Sequence, residues 1–61
     1  MIMRLISFLK RIEKDYYVFV WRGNNMLHEG WNGELKNRVE DISEIKTIKF
    51  LDGKDIEIIV K

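Results

Sequence analysis

The chain has no cysteine, so neither a disulfide framework nor a thiolate-held zinc or redox centre can brace it. The same absence fits a reducing, cytoplasmic setting. It has one histidine, His28, and no second histidine or cysteine to join it in a metal site. Hydroxyl side chains are nearly as scarce: Ser7, Ser43 and Thr47 are the non-phenolic ones, and none lies in a nucleophile motif. The four glycines are scattered, which excludes a phosphate-cradling loop. Long hydrophobic runs are missing too. Arg4, Lys10 and Arg11 interrupt the N-terminal apolar segment well short of the roughly 20 residues that cross a bilayer, and no secretory signal is present. These absences predict no catalytic, cofactor-binding or metal-binding residue, no small-molecule substrate and no enzyme.

What remains is 61 residues with a net charge of +1. A chain this short buries only about 60% of its unfolded surface, so one small and marginally stable domain is expected, of a size that often gains stability by self-association. Alanine, proline and glutamine are also absent while isoleucine occurs nine times, a bias of the kind AT-rich bacterial or phage genomes produce. Near-neutrality argues against a strong polyanion binder. The charge is uneven, however: residues 1–14 carry Arg4, Lys10, Arg11 and Lys14 against Glu13, while Glu40, Asp41 and Glu44 form an acidic knot later.

Ile2, Leu5, Ile6, Leu9 and Ile12 recur at helical spacing, with Arg4, Ser7, Lys10 and Arg11 on the opposite side, and predict an amphipathic helix within residues 1–14. Residues 15–61 read as an antiparallel meander of four to five strands. Asp15 to Arg22 is rich in aromatic and β-branched residues and reads as the first strand. Gly23-Asn24-Asn25 turns the chain into a return strand from Met26 to Trp31. Asn32-Gly33 is a strong hairpin signal, after which Leu35, Asn37 and Val39 alternate with Glu34, Lys36 and Arg38 as a third strand, placing Glu29 opposite Lys36. Leu35, Val39 and Ile42 also have helical spacing, but the strand reading is preferred, followed by a short helical turn over 41–44.

Parity sets the last hairpin. A three-residue loop ending in Gly53 aligns Ile48 with Ile56 and Lys49 with Asp55, so that Ile48, Phe50, Ile56, Ile58 and Val60 share a buried face. The predicted fold is therefore α+β: an N-terminal helix and a curled antiparallel meander. That order resembles the small Sm-like and SH3-like barrels, into which five short strands can curl, although Gly23 and Gly30 do not reproduce the Sm glycine spacing; closed barrel and open sheet are both left open.

The first strand is apolar on both faces, with Tyr17, Phe19 and Trp21 on one and Tyr16, Val18 and Val20 on the other. A strand of that kind needs cover on both sides, so it should be central, with most of its surplus absorbed internally. Five of the seven aromatic residues lie between Tyr16 and Trp31. Their concentration, with Arg22, suggests a partner-binding surface made of Tyr17, Phe19, Trp21, Arg22 and Trp31. The preferred occupant is a protein, or a second copy of the chain in a homodimer, and the role that of a small regulatory module. Single-stranded nucleic acid is the alternative, since sheet aromatics can stack bases. Peripheral membrane association through the basic N-terminal helix is a third reading, set below packing of that helix on the sheet. His28 is read as structural.

Overall fold

The computed structural model describes residues 2–61. Its elements are α1 (Leu5–Arg11), β1 (Tyr17–Arg22), β2 (Asn25–Trp31), α2 (Asn32–Arg38), β3 (Ile45–Phe50) and β4 (Asp55–Val60). The four strands form one open sheet in the order β2-β1-β4-β3. β1 is central, as its two apolar faces require.

α1 is shorter than its apolar periodicity suggests, seven residues rather than a helix over most of 1–14. Arg4 is already extended and bridges Glu44, while Ile12 is extended at the other end. The reason lies in the segment that follows α2. The Leu5 N–H donates to the Ser43 carbonyl (2.9 Å) and the Ile6 N–H to that of Asp41 (3.0 Å), which satisfies amides a helix start leaves without partners. Leu5 and Leu9, one turn apart, are fully buried, with Phe8 and Ile12 beside them.

The largest departure from the meander comes at Asn32-Gly33. Those residues open α2 rather than turning a hairpin, so residues 34–39 form no third strand and Glu29 does not face Lys36. Asn32 is 2% exposed. Its Oδ1 accepts the Tyr16 N–H (2.8 Å), its Nδ2 donates to the Ile12 carbonyl (3.4 Å), and its own N–H donates to the Tyr16 carbonyl (2.9 Å). One side chain thus ties the end of α1, the entry to β1 and the start of α2. Leu35 faces the core and Val39 packs against it, so the helical spacing of those two residues prevails over the alternating one. The predicted turn over 41–44 is replaced by non-helical chain in which the Ser43 N–H donates to Asp41 Oδ1 (2.8 Å).

With a helix in place of the third strand, the chain crosses the sheet before entering β3 at its far edge. β4 then returns between β3 and β1 and pairs with β1 in parallel, Val18 beside Ile56 and Val20 beside Ile58. The sheet is mixed and open, not an antiparallel meander and not a closed barrel.

Between β3 and β4 run Leu51-Asp52-Gly53-Lys54; the Leu51 N–H donates to the Asp55 carbonyl (2.9 Å) and closes a turn over the last three, with Gly53 in the left-handed region (φ 74°). The register is Ile48 with Ile58 and Phe50 with Ile56, two residues from the expected one. A shift of two preserves the faces, so Ile56, Ile58 and Val60 are buried as expected. Phe50 shares their side but is 66% exposed, its ring edge-to-face with that of Tyr16 at a centroid distance of 6.3 Å. Two bulges adjust the pattern. The one at Lys46 turns Ile45 toward the core, and the one at Leu27 does the same for that residue.

Leu5, Leu9 and Leu35 of the helices close over Val18, Val20, Ile56, Ile58 and Val60 in a single cluster. Both helices therefore cover the same face of the sheet. The other face has no second layer.

Candidate functional site: an aromatic sheet face flanked by acids

On β1 the side chains opposite the core are Tyr17, Phe19 and Trp21, all half-buried. The pairing places neighbours on both sides of each. Tyr17 lies between Trp31 and Asp55, Phe19 between Glu29 and Glu57, and Trp21 between Met26 and Ile59. Thr47 and Lys49 extend the rows of Ile59 and Glu57 onto β3. The Tyr17 ring packs edge-on against Phe19 (centroids 5.1 Å apart) and Trp31 (5.2 Å), the geometry aromatic quadrupoles favour. Trp31 and Met26 are about two-fifths exposed. The expected absorption of this surplus thus holds for Val18 and Val20 but not for the aromatic side of the strand.

The flanks of the aromatic row are acidic. Among the paired strand residues, Glu29, Asp55 and Glu57 stand on this face with Lys49, while Lys46 and Lys61 lie beside Ile59 at its Trp21 end. The Tyr17 hydroxyl donates to Glu29 Oε2 (3.0 Å), and that hydrogen bond to a carboxylate, with partial burial and the negative charge of Glu29 and Glu34, raises the phenol above its ordinary value. Lys49 and Glu57 are cross-strand neighbours, yet the only ion pairs within 4 Å among the described residues are His28–Asp41 and Lys61–Glu44. The indole Nε1 of Trp21 is the one buried side-chain polar atom, among the described residues, without a hydrogen-bond partner.

Of the five residues proposed from sequence, the structure brings Tyr17, Phe19, Trp21 and Trp31 onto one surface. Arg22 is elsewhere. It has the strand parity of Val18 and Val20, and its guanidinium donates to the Lys61 carbonyl (3.0 Å) and to Ser43 Oγ (2.6 Å). The residues missed are Glu29, Asp55 and Glu57. Their place beside the aromatics depends on pairings with β2 and β4, and the parallel β1–β4 contact has no local sequence signal.

A second polar group lies at the sheet end near Arg22. His28 Nε2 sits 2.9 Å from Asp41 Oδ2, and Asp41 also holds the Ser43 N–H. Burial pushes the Asp41 carboxyl up, but hydrogen bonds from the Ser43 side chain, His28 and the Ser43 backbone outweigh it and hold the group below its ordinary value. An ionised Asp41 makes His28 Nε2 the donor. The Asp41 carboxylate stands between histidine and serine, so His28 bonds to Asp41 and not to the Ser43 hydroxyl. The cluster clasps the 39–44 segment against β2 and α1.

No group of three or more potential metal ligands occurs among the described residues, and no helix there is long and apolar enough to cross a membrane. Of the apolar stripe that the membrane reading would need, Leu5, Leu9 and Ile12 lie in or against the core, while Ile2 is exposed. No protein-family model, curated protein or solved structure matches the chain.

Proposed function

We propose that this chain is a non-enzymatic binding module that engages a protein partner through the sheet face bearing Tyr17, Phe19, Trp21 and Trp31. The observation that carries the reading is the asymmetry of the sheet. Both helices are spent on one face, while the other leaves an aromatic row with no layer over it. Aromatic side chains bring large contact area at low entropic cost and are the anchors protein interfaces favour. The flanking charge argues for protein over nucleic acid. Phosphate contacts dominate nucleic-acid affinity, and the carboxylates Glu29, Asp55 and Glu57 beside Tyr17 and Phe19 would repel a backbone laid along the aromatic row.

The test is selection of binders from a random peptide library on the intact protein, followed by titration against a Phe19→Ser, Trp31→Ser variant. Selected peptides should lose at least tenfold in affinity on the variant while its thermal unfolding stays cooperative, the scale expected for losing anchor side chains. Equal binding to both proteins, or no enrichment, would refute the reading. So would salt-sensitive binding of a single-stranded oligonucleotide that quenches Trp21 and Trp31.

A further inference from the structure

The composition of the aromatic face narrows the partner further. The row through its centre reads Glu29, Phe19, Glu57 and Lys49 across β2, β1, β4 and β3. Two glutamates therefore leave the backbone on either side of Phe19, on strands about 10 Å apart from the ~4.8 Å strand spacing. Taking this face as the docking surface, we infer that its partner presents an arginine side chain that stacks on Phe19 and donates to Glu29 and Glu57 on either side.

The chemistry favours a guanidinium at this position. A cation over an aromatic face is attracted by the ring quadrupole, and the planar guanidinium adds stacking that an ammonium lacks. Its forked donors point in several in-plane directions, so carboxylates on opposite sides can be served at once. Glu29 keeps Oε1 free while Oε2 holds the Tyr17 hydroxyl. Glu57 has no cation within ion-pair distance among the described residues, although Lys49 is its cross-strand neighbour. Both carboxylates thus retain acceptor capacity that a neutral apolar partner would bury unsatisfied, at a cost.

The same row disfavours a second copy of the chain as the occupant. A two-fold axis along β1 sets Glu29 of one copy over Glu57 of the other. An axis across the strands through Phe19 sets each glutamate over its own equivalent. An axis between β1 and β4 relieves that contact by bringing Glu29 over Lys49, but it lays each Glu57 on a Phe19 ring, whose face is negative. Each of these three arrangements carries a carboxylate penalty that an arginine converts into attraction.

The experiment is a titration of the isotopically labelled full chain, followed by amide NMR, with capped peptides alternating arginine and serine, lysine and serine, or glutamate and serine. The arginine peptide should shift the amides of Phe19, Glu29 and Glu57, bind more tightly than the lysine peptide, and leave the glutamate peptide inert. Glu29→Gln and Glu57→Gln should each weaken it about tenfold, the scale of one charge-assisted hydrogen bond. Lys49→Gln should tighten it. Equal affinity of the Glu57→Gln protein, or shifts confined to other surfaces, would overturn the inference. If the arginine peptide fails while library-selected neutral peptides still require Phe19, the arginine assignment falls and the docking face stands. If neither binds, both fall.

Discussion

Replacing Gly33 by alanine separates the two structures this sequence could have adopted, because they give the substitution opposite signs. In a two-residue Asn-Gly hairpin turn the glycine takes a left-handed backbone conformation that alanine reaches only at a cost of about 1 kcal/mol or more. In the structure Gly33 lies in the first turn of α2, and the positive-φ glycines are Gly23, Gly30 and Gly53. A Cβ built on Gly33 would meet only Asp15 Oδ1, at 3.6 Å, an ordinary contact. Nothing in the folded state therefore opposes the methyl group, while the unfolded chain loses freedom. Gly33→Ala should stabilise the protein by about 0.4–1 kcal/mol. Since about 1 kcal/mol moves the midpoint of a domain this size by roughly 4–8 °C, the thermal transition should rise by a few degrees. Circular dichroism melts and urea titrations with an unchanged m-value would check it. A fall in stability of 1 kcal/mol would refute the helical start of α2 and restore the hairpin.

Asn32→Ala should cost about 1–3 kcal/mol, because it strands the Tyr16 N–H that Oδ1 accepts at 2.8 Å. An unchanged urea midpoint would show that the three-way tie among α1, β1 and α2 carries no stability. The Asp41 carboxyl is held below its ordinary value in the folded chain, so its contribution is present above the ordinary carboxylate range, about pH 4, and is lost as pH falls through that range and past the folded value. Asp41→Asn should therefore flatten the acid limb of stability against pH; an acid limb identical to that of the unaltered protein would exclude Asp41 as its source.

Features resting on strand parity were legible in the sequence, whereas those resting on distant partners were not. Alternation in Tyr17–Arg22 sorted Val18 and Val20 from Tyr17, Phe19 and Trp21, and parity in the second hairpin found the buried isoleucines even though its register was two residues out. Arg22 could have been set apart by the same rule, since it alternates with the buried valines. Asn32-Gly33 misled because its hairpin preference is local, whereas what fixes Asn32 is Tyr16 and Ile12, far back in the chain. Leu35 and Val39 fit both periods, so the hydrophobic pattern could not arbitrate. The shortening of α1 likewise depends on carbonyls of residues 41–43 that no helical periodicity reveals.

The missing third strand also governs the aromatic face. Had residues 34–39 formed a strand after β2, the chain would have kept winding antiparallel and curled toward closure, and the aromatic side of β1 could have turned inward. As a helix, the segment instead adds Leu35 to the cover over Val18 and Val20 and carries the chain to the far edge, which makes room for β4 beside β1. That parallel pairing does two things through alternate residues of one strand. Ile56 and Ile58 complete the core, while Glu57 between them is set against Phe19. Core and aromatic face are thus interleaved residue by residue, and a one-residue slip of β4 would exchange them, burying Glu57 and exposing its isoleucine neighbours. The cost of burying that carboxylate guards the register, so the charge assigned to the binding face also helps to specify the fold.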